Sequence, residues 1–237
     1  MAAEDEAAEL LAATAGDGER LAALVTRRCA GEPLAWLTGS VRFCGETVLV
    51  HPGVYVPRWQ SEPMALEAAA RLPDTGLAID LCTGAGAIAL VLARMRPSAR
   101  VLAGEIDPLA IACARANGVE VIESDLARGF SPSVAGRVDI VTAVVPYVPT
   151  EQMQWLPRDV LAYEPHGALD GGPAGTRYLV EVVRQSAPLL RPGGSLLLEL
   201  GADQVDLLGA PLAQAGFGDI ELATDEDGDL RAIYCRL

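Results

Sequence analysis

Basic side chains are scarce in this 237-residue chain: 18 Lys and Arg stand against 32 Asp and Glu, a formal charge of −14. A protein that gains affinity by neutralising phosphates needs clustered Lys and Arg. The densest basic pair here is Arg27-Arg28, so nucleic acid is not an expected partner. Histidine is nearly absent, with only His51 and His166, far apart. A zinc site or a Ser-His-Asp hydrolase would rest on one of them, and neither lies in a motif, so no metal is expected. The five cysteines (Cys29, Cys44, Cys82, Cys113 and Cys235) form no C-x-x-C pair. Such an odd, scattered set fits reduced thiols and a cytoplasmic location. No apolar run reaches the roughly 18 residues of a membrane span. The Met1–Glu6 segment is acidic where a secretory signal would be basic. Charged residues make up 21% and apolar ones 51%, which excludes a disordered tail and supplies a sizeable core. The expectation is an acidic, soluble α/β protein, one domain with a small appendage, and nothing demands more than a monomer.

Residues 1–30 carry apolar side chains at helical spacing, interrupted by Gly16-Asp17-Gly18, and read as two short helices. Val41–Cys44 and Thr47–Val50 flank Gly45-Glu46 as a β-hairpin. A helix from about Glu62 leads into the main body. There strands are expected at Ala78–Leu81, Val101–Ile106, Val119–Ile122, Val138–Val145 and Ser195–Leu200. Helices are expected at Ala87–Arg94, Pro108–Asn117 and Tyr178–Leu190. Asp219–Leu222 and Leu230–Cys235 close the chain as an antiparallel pair around Asp227-Gly228. Alternating β and α units imply a mostly parallel sheet covered by helices on both faces.

Asp80-Leu-Cys82-Thr83-Gly84-Ala85-Gly86 falls where the first of these strands turns into its helix. Glycines there let backbone pass close to a ligand, and the helix N-terminus adds oriented N–H groups. A lone G-x-G also serves packing alone. Glu105, however, ends the next strand 19 residues past Gly86, the spacing at which an acid accepts ribose hydroxyls. Asp125 follows the third strand, in reach of an adenine amine, with Ile106 and Leu126 beside the two acids. A dinucleotide turn carries a third glycine where Ala89 stands here. S-adenosylmethionine has no pyrophosphate, and its ammonium suits a carboxylate such as Asp80. The balance therefore favours S-adenosylmethionine over a nicotinamide dinucleotide.

Several segments together resemble the release-factor glutamine N5-methyltransferases, a class I S-adenosylmethionine-dependent family. They are Ala30–Gly39, Pro52–Arg58 with Glu62, the Asp80–Leu90 turn, Glu164-Pro165, Leu169–Gly172 with Gly175, and Pro192-Gly-Gly with Leu198–Gly201. The resemblance runs over nearly the whole chain. It implies a Rossmann-like, seven-stranded, mostly parallel sheet over 62–237, preceded by a helical and hairpin region over 1–61. The family signature is Asn-Pro-Pro-Tyr at the end of strand four, and here that stretch is Val144-Val145-Pro146-Tyr147.

An amide nitrogen is a poor nucleophile and must be oriented. In the signature, the Asn oxygen and the next residue's carbonyl accept its two hydrogens, and the Tyr packs on the amide plane. Val145 still offers a carbonyl, whereas Val144 has no polar side-chain atom. The implied acceptor is a protein side chain other than release-factor glutamine, or a small molecule. A S-adenosylmethionine-binding paralogue without turnover remains an alternative. An adenine-N6 enzyme is the third, disfavoured by the charge. Tyr147 reads equally as a substrate stack or a core cap, and Arg58 as a site residue or a surface one. His166 reads as an exposed loop residue before a base. Asp225–Asp229 reads as a solvated turn before a cation site.

Overall fold

The computed structural model describes residues 3–225 and 227–237. The N-terminal part opens with α1 (Ala3–Thr14) and α2 (Gly18–Cys29). Asp17 caps α2 by accepting the Arg20 N–H, as an N-cap carboxylate does. A short α3 (Leu34–Thr38), unanticipated by the sequence pattern, completes a small cluster of Leu10, Leu24, Leu34 and Leu37. The hairpin follows as β1 (Ser40–Phe43) and β2 (Glu46–Leu49). Its two turn residues are Cys44 and Gly45, one position earlier than expected. Both have positive φ (49° and 79°), which a type I′ turn requires.

The main body alternates as expected: α4 (Glu62–Arg71), β3 (Leu77–Leu81), α5 (Ala87–Met95), β4 (Arg100–Glu105), α6 (Pro108–Ala116), β5 (Val121–Glu123) and β6 (Val138–Ala143). After it come α7 (Arg158–Tyr163), α8 (Arg177–Ser186), β7 (Leu190–Glu199), α9 (Val205–Ala215), β8 (Gly218–Thr224) and β9 (Leu230–Arg236). The sheet has seven strands in the order β5-β4-β3-β6-β7-β9-β8. Its first five are parallel, and β9 runs antiparallel between β7 and β8. The chain builds outward from β3 through β4 to β5, then returns to lay β6 on the other side. That reversal makes the carboxyl ends of β3 and β6 the topological switch point, where open α/β sheets bind ligands. No helix among the described residues is long and apolar enough to cross a membrane.

Fully buried Phe43 and Val48 of the hairpin join Met64 and Leu92 in the cluster on one sheet face. Asn117, at the end of α6, clips the hairpin in place. Its Oδ1 accepts the Leu49 N–H (2.8 Å), and its Nδ2 donates to the carbonyls of Leu49 (2.9 Å) and Ala85 (2.8 Å). Asn117→Ala should therefore cost about 2 kcal/mol and lower Tm by about 4–8 °C. An unchanged Tm would show that the hydrophobic cluster alone seats the hairpin.

Candidate active site at the carboxyl edge of the sheet

The β3–α5 turn is held from below by Asp80, whose side chain is buried. Its Oδ2 accepts the Thr83 hydroxyl (2.6 Å) and its Oδ1 the Thr142 hydroxyl of β6 (2.7 Å). Burial pushes the Asp80 carboxyl up to about 6, against the opposing pull of those two hydroxyls. Cys82, Gly84 and Gly86 all take positive φ, of 54°, 57° and 85°. A Cβ on Gly86 would stand 2.8 Å from Val119 Cγ2, so that glycine serves packing. One on Gly84 would meet nothing within 4 Å, so that glycine faces open space. Burial raises the Cys82 thiol strongly, which leaves it protonated and inert.

Glu105 straps the turn from the neighbouring strand. Its Oε2 accepts the Gly84 N–H (2.9 Å), and its Oε1 accepts those of Ile106 (2.8 Å) and Asp107 (3.0 Å). A carboxylate has about four acceptor positions, so one remains for a ligand hydroxyl. Asp125, further along the edge, is paired with Arg128, which also reaches Glu181 at 3.3 Å. Ile106 leaves its apolar side chain 61% exposed beside these acids.

A cavity of about 1200 Å³ runs along this edge. Cys82, Gly84, Glu105, Ile106, Asp125 and Leu126 line it. Asp80, Thr83 and Ala85 instead line a small annex of about 50 Å³, which shares Tyr55, Arg58, Cys82, Gly84 and Val144 with the cavity. Gly86 lines neither. His166 is exposed, lies outside the cavity wall, and sits 3.2 Å from the Leu161 carbonyl through Nε2. In the acidic turn, Asp225 pairs with Arg231 and accepts the N–H groups of Asp227 and Asp229. Glu226 of that turn lies outside the described residues.

The other half of the cavity is built around 144–147. Strand β6 ends at Ala143, two residues before the expected Val145, and the chain then leaves the sheet. The loop after α7 grips it there: Val148 N–H donates to Leu169 O (3.0 Å), and Gly171 N–H donates to Val148 O (2.8 Å). The buried Gln204 amide donates to the Tyr147 carbonyl (2.7 Å). No hydrogen bond from the described residues reaches the Val145 carbonyl. Val144 sits where the cavity meets the annex.

Three residues that sequence reasoning had not assigned to the site, Glu199, Ser61 and Tyr55, lie in the surroundings of Tyr147. Its hydroxyl donates to Glu199 Oε1 (3.1 Å), while the Ser61 hydroxyl donates to Oε2 (2.5 Å). Tyr55 lines the same wall under the Arg58 guanidinium, 4.9 Å from its ring centre, and Arg58 pairs with buried Glu164. Burial raises the Glu199 carboxyl and the Tyr147 phenol alike. The forewarnings were Glu199's place in the Leu198–Gly201 segment and Tyr55's in Pro52–Arg58; nothing in the sequence pairs Glu199 with Ser61.

No family model matches the chain. Among curated proteins it is similar to the release factor glutamine methyltransferase of Geobacter sulfurreducens, at 36% identity, covering 92% of this chain and 79% of that protein. It is also similar to the 4-amino-L-phenylalanine/4-methylamino-L-phenylalanine methyltransferase of Streptomyces pristinaespiralis, at 37% identity over 76% of this chain and 65% of that protein. Among solved structures it resembles a methyltransferase from Pyrococcus furiosus, with a TM-score of 0.58 and 18% identity, covering 81% of this chain and 88% of that one.

Proposed function

The chain belongs to the release factor glutamine methyltransferase family of S-adenosylmethionine-dependent enzymes, and we propose that its acceptor is an amine nitrogen rather than a glutamine amide. The observation that carries this reading is Val144, whose apolar side chain stands at the junction of cavity and annex. An amide N–H left there without an acceptor would cost about 1–3 kcal/mol, about ten- to a hundredfold in rate. An amine lone pair is not delocalised into a carbonyl, so an amine is the stronger nucleophile and depends less on being oriented by an acceptor at position 144.

The residues fit the cofactor. Gly84 opens onto the cavity, Glu105 keeps an acceptor position for a ribose hydroxyl, and Asp125 stands at the adenine end. Cys82, Ile106 and Leu126 supply apolar walls; Thr83, Ala85 and Gly86 shape the turn; and Asp80 lies nearest the annex as the carboxylate for the ammonium. When bound, S-adenosylmethionine supplies a methyl group on a positively charged sulfur.

The wall on the acceptor side suits an aromatic amine. Tyr55, Tyr147 and Tyr178 line it, with Pro146 and Val145 between. Of the four arginines on the cavity wall, Arg58, Arg128 and Arg231 are ion-paired, whereas Arg177 makes no ion pair among the described residues and lies over the Tyr178 ring at 5.3 Å. It is available to an acceptor carboxylate. The Streptomyces pristinaespiralis relative takes such an amino acid by name. In this reading residues 62–237 form the S-adenosylmethionine-binding domain, and the region over 1–61 that precedes it contributes Tyr55 and Arg58 to the cavity wall.

The test offers isotope-labelled S-adenosylmethionine with either 4-amino-L-phenylalanine or a purified release factor. Label should enter the amine, and the release factor should stay at background. The chain contains no lysine, so lysine automethylation adds nothing to that background. Val144→Asn should make the release factor a substrate. Methylation of the release factor by the unaltered chain would overturn the amine reading. Cofactor binding without transfer to either acceptor would favour the paralogue without turnover.

A further inference from the structure

Glu199 ends β7 one residue past Leu198, which stands opposite Ala143, the last residue of β6. Its carboxylate therefore lies beside the segment 144–147. It is only 4% exposed, yet it forms part of the cavity wall. Its hydrogen bonds come from two neutral hydroxyls, those of Tyr147 and Ser61, and no basic side chain among the described residues forms an ion pair with it. A buried carboxylate without a cation is costly, and two of its roughly four acceptor positions remain open. The wall around it is otherwise poor in acceptors: Val144 has no polar side-chain atom, the Pro146 carbonyl packs against Gly171, and the Tyr147 carbonyl is taken by Gln204. The Val145 carbonyl and the Glu199 carboxylate are thus the pair available to an acceptor nitrogen with two hydrogens.

We infer that Glu199 is a catalytic residue on the acceptor side: its carboxylate takes one N–H of the incoming nitrogen, counters the positive charge that grows there, and receives the proton after transfer. The inference rests on the amine reading above for its natural substrate, though an amide nitrogen would meet the same carboxylate. The nitrogen lone pair forms the new N–C bond while the C–S electron pair stays on sulfur. The N–H proton then passes to Glu199, which returns it to water. Fixed negative charge aimed at the atom that becomes positive favours the transition state over the ground state.

Several groups face this carboxylate. Tyr147 comes from the segment after β6, Ser61 and Tyr55 from the stretch before α4, and Arg231, bound to Asp225 and Asp229, from β9. Beyond Tyr55 lies the Arg58–Glu164 pair. Burial sets the carboxyl above the ordinary range, and the Ser61 hydroxyl holds it partly down.

The test compares the unaltered chain with Glu199→Gln and Ser61→Ala, using 4-amino-L-phenylalanine and a release factor as acceptors. With whichever acceptor is methylated, Glu199→Gln should lower kcat by about ten- to thirtyfold. That is under the hundredfold or more of a base acting in the rate-limiting step, because a methylated arylammonium sheds its proton readily. KM should stay within about threefold, and the acid limb of the pH profile should disappear. Ser61→Ala should move that limb to higher pH, a shift that a merely structural carboxylate would not produce. Calorimetry without activity adds a second readout: S-adenosylmethionine affinity should be unchanged in Glu199→Gln, while its 4-amino-L-phenylalanine affinity should fall by about two- to threefold. A limb that persists in Glu199→Gln or does not move in Ser61→Ala overturns the inference. If neither acceptor is methylated, equal amine affinity in the two proteins does so. A release factor methylated with these same responses keeps Glu199 and removes the amine reading alone.

Discussion

Gly175→Ala should lower methyl transfer by about a hundredfold or more while leaving S-adenosylmethionine affinity within about threefold. A Cβ at this position would lie 2.1 Å from the Tyr147 carbonyl oxygen and 2.3 Å from Gln204 Nε2, with φ at +69°. Both neighbours are fixed. The carbonyl is backbone, and Gln204 is buried with its amide bonded to Tyr147 O and Ala174 O. The methyl group has no rotamer to escape into, so the loop or the 146–148 segment must move. Gly171 closes the remaining room, since a Cβ there would already stand 2.7 Å from Pro146 O. A misplacement of about 1 Å at a reacting group costs about a hundredfold in rate. Positive-φ strain adds roughly 1–2 kcal/mol against stability. Gly84, Glu105 and Asp125, the residues proposed to hold the cofactor, lie across the sheet on β3, β4 and β5 and their loops, outside this contact. Gly136→Ala is the matched control: its φ is +66° and its Cβ would meet nothing within 4 Å. It should cost stability alone. Equal kinetics in the two variants would show that the loop does not set the acceptor segment.

What the sequence made legible was whatever depends on neighbours along the chain. The apolar runs of β3, β4, β6 and β7 announce a buried parallel sheet, and Gly84, Gly86 and Glu105 mark the β3–α5 turn at its edge. Elements whose apolar pattern is weak stayed hidden. Helix α9 contains Gly209 and Pro211 and buries only Leu208 and Leu212, so its periodicity is broken. Helix α7 has no buried residue at all, so it carries no stripe to detect. Strand β7 begins at Leu190 rather than Ser195 because Pro192-Gly193-Gly194 is absorbed by an irregular register between Val138 and Ile140 of β6. The acceptor wall was hidden for a different reason. Ser61 and Glu199 are 138 residues apart and Tyr147 and Glu199 are 52 apart. The lateral order of β6 and β7 brings Tyr147 to Glu199, the packing of α4 on those strands brings Ser61, and no local pattern encodes either.

Asp80→Asn should change stability and cofactor affinity in opposite directions. In the folded chain burial holds this carboxyl at about 6, against 3.8 as its ordinary value. A carboxyl whose folded value is raised supports the fold when protonated: that support is complete below the unfolded value and is lost as pH rises through the folded one. Between about pH 4 and pH 6 the unaltered protein should therefore lose stability as pH rises, by up to about 3 kcal/mol at roughly 1.4 kcal/mol per unit. Asparagine is nearly isosteric and carries no charge to desolvate. Thr83 and Thr142 can still donate to its oxygen or accept from its nitrogen, so the turn keeps its floor. At pH 8 the variant should be more stable by about 1–3 kcal/mol, and its denaturation midpoint should vary less between pH 4 and pH 6. The binding effect runs the other way, because the lost charge is the one beside the annex that the cofactor ammonium would meet. A charge-assisted hydrogen bond of about 1.5–3 kcal/mol corresponds to a ten- to hundredfold weaker Kd. Denaturant titrations at pH 5 and pH 8, with calorimetry at pH 8, measure both. If Asp80 only braces the turn, stability and affinity should fall together. Opposite signs identify a carboxylate kept at a cost to the fold because the ligand needs its charge.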